Sequence, residues 1–450
     1  MPETKIPEYL IAWLAPLFLL ALARSRGKMA GTGLVIAYLV QLGLIHWVAP
    51  VLYTLPWYRG MDPHVVEAGL LQSVYAVCAF AFASAVLAPL VMKSGILPQP
   101  KTVRNPDNNL PKAYIWIGAG SYLILSMGIG ALPSATALFS TGQEMIVVGL
   151  ALSAWVSWRM HDYIKLSLWI AVTMMLPFIT VVTRGFIGYG TAATLTILVF
   201  VFGFLRSRVV VLVSLTVLIF LGLSVYVTYM RDRGEIRESV WGGQSLSDRL
   251  ERVGTTVSTF EWFDIQDQSH LTRIDGRLNQ DFLVGAAVLW LENTDGFARG
   301  DTLWEALMAL IPRALWPDKP AVAGSGNLVS EYTGIQFASG TSVGIGQVME
   351  FYINFGTMGV LIGFLVFGLV VTICDTCAAE RLAAGDLHGF VLWYMPGLAM
   401  LQVGGSLAEV TSSTAASIIV ALMVNKYLDR LQHKQSAEAR LSQPAFASHL

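Results

Sequence analysis

Long apolar runs separated by short polar connections dominate this chain of 450 residues. A helix needs about 20 largely apolar residues to cross a bilayer, and about eleven runs approach that length. They lie at 8–23, 30–51, 65–92, 113–132, 143–158, 166–182, 186–205, 209–229, 347–373, 388–402 and 406–424. Only 13% of the residues are charged, against about 25% in soluble proteins. The sequence therefore predicts an all-α fold, a polytopic transmembrane helix bundle of about eleven spans.

The basic residues of the short connections predict the orientation of these spans. If the first helix has its N-terminus outside, most lysines and arginines of these connections fall on the inner side. Only Lys5, Arg59 and Arg184 then fall outside. This topology divides the chain into a first membrane region at 1–229, an extracytoplasmic loop at 230–346, three last spans at 347–424 and a polar cytoplasmic tail at 425–450.

Charge and cysteine content exclude several classes of function. The formal net charge is −1, so no basic excess indicates a nucleic-acid partner. The three cysteines are too few and too poorly spaced for a disulfide framework. No nucleotide-binding loop and no zinc-type spacing of His and Cys is visible. We therefore expect no metal and no other cofactor.

The segment 230–346 carries the chemistry that the spans lack, because it contains ten of the 29 basic residues. Nine of the ten are arginines, which bind carboxylate or phosphate groups bidentately. The segment thus suits an anionic ligand, although its arginines could equally pair with neighbouring Asp and Glu. We expect a short surface helix at 247–254, a buried or re-entrant segment at 282–291, and an amphipathic surface helix at 301–311 with Trp304 and Trp316 as interface anchors.

A proline-rich turn follows that amphipathic helix at 311–320. Arg313 and Lys319 lie between three prolines that restrict the backbone, so two cations would project from a stiff turn at the membrane surface. This arrangement suits a diphosphate, with Trp316 and Asp318 as further candidates for substrate contact. The alternative is a structural corner in which Arg313 pairs with Asp318.

Polar residues also mark the outer end of the ninth run. Gln347, Glu350 and Asn354 are spaced to share one helical face, so a carboxylate lies between two amides. An ionisable side chain in a membrane segment is a candidate functional group, because its burial is costly. Glu350 could act as a general base or form a structural pair with a basic loop residue. Glu409, at the start of the last run, is a weaker candidate of the same kind.

Arg184 stands alone in the tight connection between the sixth and seventh runs. It lies on the side that otherwise lacks basic residues, so it goes against the usual distribution of positive charge. We expect it to bind a ligand or to pair with an internal carboxylate such as Glu350. The lone His46, near the outer end of the second run, is expected at the membrane interface.

The sequence resembles the Wzy-type oligosaccharide repeat-unit polymerases of bacterial O-antigen, capsule and exopolysaccharide pathways. The matching elements are Thr-Arg-Gly after an apolar run, the long outer loop, Pro-Arg-x-Leu-Trp-Pro-Asp-Lys-Pro at 312–320, and Glu-Phe-Tyr-Ile-Asn-Phe-Gly-x-x-Gly at 350–359. The resemblance covers the later half of the chain by motif and the earlier half by helix count and topology.

The resemblance implies a metal-independent glycosyltransferase in the bacterial inner membrane. It would polymerise undecaprenyl-diphosphate-linked oligosaccharides without a nucleotide sugar, among membrane lipids and alongside a flippase and a chain-length regulator. Arg184, Arg313 and Lys319 would bind the diphosphate, and Glu350 would activate the acceptor. Asn354, Gln347, Trp316 and Asp318 would be additional substrate contacts.

Two alternatives stay open on the sequence. A ligase that transfers finished polymer to an acceptor would also need outer-loop cations and a base. A flippase or secondary transporter would normally show internal repeats and charges near the bilayer midplane. No repeat is visible and the charges cluster at the outer face, which favours a surface enzyme.

Overall fold

The computed structural model describes residues 4–25, 31–103, 107–126, 133–205, 208–311, 315–316, 318–319, 324–337 and 343–442. Within these ranges the chain is helical and has no β-strand. The helices are α1 (Ile6–Ser25), α2 (Leu34–His46), α3 (Val48–Leu52), α4 (Pro63–Phe82), α5 (Ala88–Lys93), α6 (Leu110–Ser126), α7 (Pro133–Gly142), α8 (Met145–Arg159), α9 (Tyr163–Met174), α10 (Leu176–Arg184), α11 (Gly188–Phe202), α12 (Arg208–Trp241), α13 (Leu246–Ser258), α14 (Gln268–Leu278), α15 (Gln280–Thr294), α16 (Asp301–Ala309), α17 (Ser325–Thr333), α18 (Gly346–Ala383), α19 (Leu387–Ala399) and α20 (Leu407–Ser442).

Seven helical stretches in the described residues are long and apolar enough to cross a membrane. They are Ile6–Arg24, Pro63–Lys93, Thr136–Arg159, Tyr163–Arg184, Val213–Trp241, Gly346–Ala383 and Leu407–Leu431. The other four predicted runs coincide with the shorter helices α2, α6, α11 and α19. The all-helical fold is therefore confirmed for the described residues, and it includes helices of membrane-spanning length, whereas the number of about eleven spans stays a prediction.

Helix α12 extends past residue 230, where the outer loop is predicted to begin. Helix α12 continues from the apolar run through the charged sequence at 231–238 and ends at Trp241. Arg231 stabilises this extension, because it pairs with Asp232 and with Glu261 on the connection after α13, both at 2.8 Å. Likewise α20 continues from the last apolar run into the predicted polar tail and ends at Ser442.

The other expected loop elements are present. Helix α13 covers the predicted surface helix, and α16 covers most of the amphipathic segment. Trp304 and Leu307 on α16 are exposed, as a face turned toward a membrane surface would be. Helix α15 contains the predicted buried segment at 282–291 and packs against α4 and α18.

Helices α4 and α15 cross at very close range. A Cβ atom added at Gly69 would lie 1.9 Å from the backbone oxygen of Asp281, and one at Gly285 would lie 1.8 Å from that of Val65. Beside this crossing His46 Nδ1 lies 2.7 Å from Asp281 Oδ1, and both side chains are fully buried. His46 therefore ties α2 to α15 inside the protein and is not exposed, and its position relative to the membrane interface stays a prediction.

Helix α18 is divided by a kink at Phe355 and Gly356. Gly356 has φ 59° and ψ −150°, a conformation that only glycine adopts readily. The connection before α16 bonds to the residues just before the kink, since Ala298 N donates to the backbone oxygen of Ile353 and Gly300 N to the side-chain oxygen of Asn354, each at 2.9 Å. The sequence Asn-Phe-Gly thus separates a short helical segment at 346–354 from the long remainder of α18.

Candidate functional site

Arg184 ends α10 next to a glycine that turns the chain. Gly185 is left-handed at φ 72°, and its N–H donates to Val181 O, which closes the helix. The Arg184 side chain donates to the amide oxygen of Gln143 and lies over the ring of Tyr122 at 5.3 Å. Among the described residues it forms no ion pair, so the suggested pairing with Glu350 is absent.

The end of α12 packs onto this turn. Tyr229 Oη donates to the backbone oxygen of Gly185 at 2.8 Å, and Arg237 Nε donates to the same oxygen at 3.4 Å. Trp241 Nε1 donates to the backbone oxygen of Arg184 at 3.3 Å. Arg237 also lies 4.2 Å from the centre of the Phe186 ring. Because α10 and α12 meet at their carboxyl ends, Arg184 and Arg237 lie at the same end of the bundle.

Two further arginines lie at this end. Arg233 is one helical turn before Arg237 on α12, and Arg277 is near the end of α14. Arg233 is within electrostatic range of both Arg237 and Arg277. In the described part of the chain no carboxylate lies within ion-pair distance of Arg233, Arg237 or Arg277. We call Arg184, Arg233, Arg237 and Arg277 the arginine cluster.

The neighbouring arginines behave differently, as the structural alternative for this segment predicted. Arg231 and Arg273 both bond Glu261, the latter at 2.9 Å, and His270 Nε2 lies 3.2 Å from the same carboxylate. Burial alone would raise the pKa of Glu261, but the hydrogen bonds from these three side chains outweigh it and the pKa is lowered. These arginines therefore stabilise the loop and are not available to a ligand.

Sequence reasoning missed three members of the arginine cluster. It treated Arg233 and Arg237 as loop residues with acidic neighbours, and it gave Arg277 no separate role. The available signal was spacing: Tyr226, Tyr229, Arg233 and Arg237 recur at three or four residues and share one face of α12 once that helix continues past residue 230.

The polar face of α18 lies elsewhere and is fully buried. Gln347 accepts a hydrogen bond from Tyr38 Oη at 3.2 Å and donates to the backbone oxygen of Gln402 at 2.5 Å. Asn354 Nδ2 donates to Thr302 Oγ1 at 2.7 Å. Both amides thus connect α18 to other elements, which makes them structural in this state of the protein.

Glu350 is 1% exposed and has a defined structural partner. Its Oε2 accepts a hydrogen bond of 2.6 Å from the backbone N–H of Leu407, in the first turn of α20. Glu305 and Glu409 lie within electrostatic range of this carboxylate. Glu409 in turn forms a capping box with Ser406, since each bonds the other's backbone N–H. At 1% exposure Glu350 is closed to a substrate hydroxyl in this conformation.

The proline-rich turn is described only in part. Arg313 lies outside the described residues. Lys319 Nζ donates to the backbone oxygen of Ile311 at 3.1 Å, and Trp316 and Asp318 are exposed. Helix α16 before this turn packs on α18 and α20, so the turn starts on the Glu350 side of the molecule. No group of His, Cys, Asp and Glu that could hold a metal ion occurs among the described residues.

The predicted site residues thus divide into two groups. Arg184 belongs to the arginine cluster at the ends of α10, α12 and α14. The junction of α16, α18 and α20 contains Gln347, Glu350 and Asn354. Lys319 follows α16 in the chain, on the turn that starts at this junction. No described hydrogen bond or ion pair joins the two groups.

Comparison with known proteins identifies a family but no function. No curated protein and no solved structure matches the chain. One family model, described as a domain of unknown function (DUF8712), matches residues 70–434. This match includes the arginine cluster and the α16, α18 and α20 junction, and it spans most of the chain. The protein therefore belongs to the DUF8712 family.

Proposed function

We propose that the protein polymerises lipid-diphosphate-linked oligosaccharide repeat units at the outer face of the bacterial cytoplasmic membrane. The observation that carries this proposal is the arginine cluster, in which several cations lie together without carboxylate partners in the described residues. Like charges at short range destabilise a fold unless an anion compensates them. A diphosphate supplies two adjacent anionic groups of the kind that guanidinium groups bind.

The reaction follows from the substrate's own chemistry. A sugar bonded to a lipid diphosphate is already activated, so an acceptor hydroxyl can attack its anomeric carbon. The new glycosidic bond forms as the bond to the diphosphate oxygen breaks, and the acceptor proton passes to a base. The arginines stabilise the negative charge that develops on the departing lipid diphosphate. The energy therefore comes from the donor, and no nucleotide is consumed.

The proposed topology places the arginine cluster on the outer side. With about eleven spans and an outer N-terminus, the sixth and eighth runs both end outside. Their carboxyl ends contact each other through Gly185, Tyr229 and Arg237, as two helices running in the same direction would. The C-terminus would then be cytoplasmic.

The role of Glu350 is a separate part of the proposal. The resemblance assigns Glu350 to activation of the acceptor. Its burial and its hydrogen bond with Leu407 N indicate instead that it caps α20. The Glu350→Gln variant separates the two roles, because glutamine retains an acceptor oxygen for the cap and cannot take up the acceptor proton. The resemblance assigns Arg313 and Lys319 on the 311–320 turn to diphosphate binding, and this assignment is also a separate part of the proposal.

The test is an electrophoretic analysis of surface and lipid-linked glycans from an in-frame deletion strain, complemented with wild type or variants. We expect the deletion to reduce a polymer ladder to one repeat unit, and Arg277→Gln to do the same while the protein still reaches the membrane. Arg299→Gln is the matched control, because Arg299 is exposed and its pair with Asp295 at 3.9 Å is weak.

Other outcomes identify the competing functions. Full-length polymer that stays on its lipid carrier would indicate a ligase, and repeat units trapped on the inner leaflet would indicate a flippase. An unchanged ladder in the deletion strain would refute the proposal for that polymer.

A further inference from the structure

An apolar cavity lies directly beside the arginine cluster. Its volume is about 380 Å³. It is bordered by α9, α10, α11, α12 and α13, with residues such as Phe178, Leu198, Leu221 and Val257 on its walls. Helices α10 and α12 belong to two of the candidate membrane spans. The cavity is thus within reach of the lipid phase.

The walls of the cavity offer few free polar groups. Thr191 and Thr256 donate to backbone oxygens of their own helices, and Thr194 donates to the backbone oxygen of Thr173 at 2.9 Å. Thr228 Oγ1 donates to the backbone oxygen of Glu261 at 3.2 Å. Since these hydroxyls are already bonded, the walls present mainly methyl and hydrocarbon surface, which favours an apolar occupant.

Two tyrosines, Tyr226 and Tyr229, connect the cavity wall to the arginine cluster. Tyr226 lies within electrostatic range of Arg233 and Arg277. Tyr229 bonds the same Gly185 oxygen that accepts from Arg237. Tyr229 and Arg233 are also one turn apart on the same face of α12. Part of the cavity wall therefore adjoins the arginine cluster.

We infer that this cavity holds the first part of the isoprenoid chain of a lipid diphosphate, with its diphosphate on the arginine cluster. This inference rests on the proposed function for the identity of the head group. A second observation supports the inference without the proposed function. The apolar cavity adjoins the arginine cluster, whose members lack carboxylate partners in the described residues. The cavity is also open at its side, since Phe178, Val225 and Val257 line it and are exposed. A lipid could enter from the bilayer without leaving it.

The inference predicts which substitution blocks the chain. Gly222 lines the cavity and has no atom within 4 Å of an added Cβ, so a side chain can begin there without backbone strain and Gly222→Leu would reduce the space at this wall. Leucine also has a higher helix propensity than glycine. Gly120→Leu is the matched control, because Gly120 is equally unobstructed on α6 and does not line the cavity.

The experiment measures binding of three probes to the purified full-length protein in nanodiscs: a polyprenyl diphosphate, inorganic diphosphate and phosphatidylglycerol. We expect Gly222→Leu to weaken polyprenyl diphosphate binding roughly tenfold, the effect of excluding a few chain carbons from the cavity. Inorganic diphosphate binding should not change in this variant, and Gly120→Leu should behave as wild type. Arg233→Gln should weaken both diphosphate probes.

Two results would overturn the inference. Equal polyprenyl diphosphate binding by Gly222→Leu and wild type would show that the chain lies elsewhere, even if the polymer ladder still depends on the arginine cluster. Phosphatidylglycerol that competes as well as polyprenyl diphosphate would identify a general phospholipid site. Failure of the proposed function would instead appear as a ladder that is independent of the arginines.

Discussion

Replacement of Asp375 should destabilise the protein far more than its single charge suggests. Asp375 lies on α18, is 1% exposed, and caps a different helix, α2. Its Oδ1 accepts hydrogen bonds from Thr32 N at 2.6 Å, Thr32 Oγ1 at 2.7 Å, Gly33 N at 2.9 Å and Leu34 N at 3.1 Å. Its Oδ2 accepts from the side chain of Arg24. One carboxylate thus joins α1, α2 and α18.

The Asp375→Ala variant leaves a partly buried cation and the first turn of α2 without their partner. Removing one member of a buried ion pair costs about 3–5 kcal/mol, and loss of a helix cap about 1 kcal/mol. We therefore expect a loss of about 4 kcal/mol in the free energy of unfolding, and a smaller loss for Asp375→Asn, which retains the acceptor oxygen.

The assay is reversible unfolding of the purified protein in mixed micelles, followed by helical circular dichroism. Asp429→Ala is the control, because Asp429 is exposed and its only described pair, with His388, is 3.5 Å long. We expect this control within about 0.5 kcal/mol of wild type. A loss below about 1 kcal/mol for Asp375→Ala would refute the argument that this carboxylate stabilises α2.

Three further predictions follow. Glu350→Gln should keep the hydrogen bond that caps α20, so its unfolding curve should match that of wild type. Loss of polymer in this stably folded variant would support the role of Glu350 as a general base. Full polymerising activity would show that Glu350 only caps α20. Glu261 has a lowered pKa, so its pairing stabilises the fold above its ordinary pKa and this contribution is lost as the pH falls through the lowered value. Thermal unfolding at decreasing pH should therefore show less acid sensitivity in Glu261→Gln, and an unchanged profile would contradict this. Gly69→Ala should destabilise by about 1–3 kcal/mol or more, because its Cβ would lie 1.9 Å from the Asp281 oxygen, whereas Gly276→Ala, with no atom nearby, should not.

Local patterns in the sequence predicted much of the helical fold. Apolar runs identified the seven candidate spans, since length and hydropathy are properties of each segment alone. The spacing of Gln347, Glu350 and Asn354 placed them on one face of α18. The continuation of α12 past residue 230 was not predicted, because charged residues after an apolar run normally mark the membrane boundary. Here ion pairs with a distant connection let the helix continue to Trp241.

The site could not be predicted in the same way, because it depends on contacts between distant segments. Arg231 and Arg233 have the same local sequence context, yet Arg231 pairs with Glu261 and Arg233 has no described carboxylate partner. Arg237 reaches the backbone beside Arg184 only because Gly185 turns the chain against α12. Likewise nothing near Asp375 in sequence indicates that it caps α2.

Polymerisation by the purified protein is the most direct test of the proposed function. The substrate is the lipid-linked repeat unit extracted from the deletion strain, supplied without nucleotide sugar and in the presence of a metal chelator. We expect a ladder of lipid-linked oligomers and release of lipid diphosphate by wild type, and neither product from Arg277→Gln at equal folded protein. The absence of oligomers with folded wild-type protein and intact substrate, or an unaffected ladder from Arg277→Gln, would contradict the assignment of the arginine cluster to this reaction.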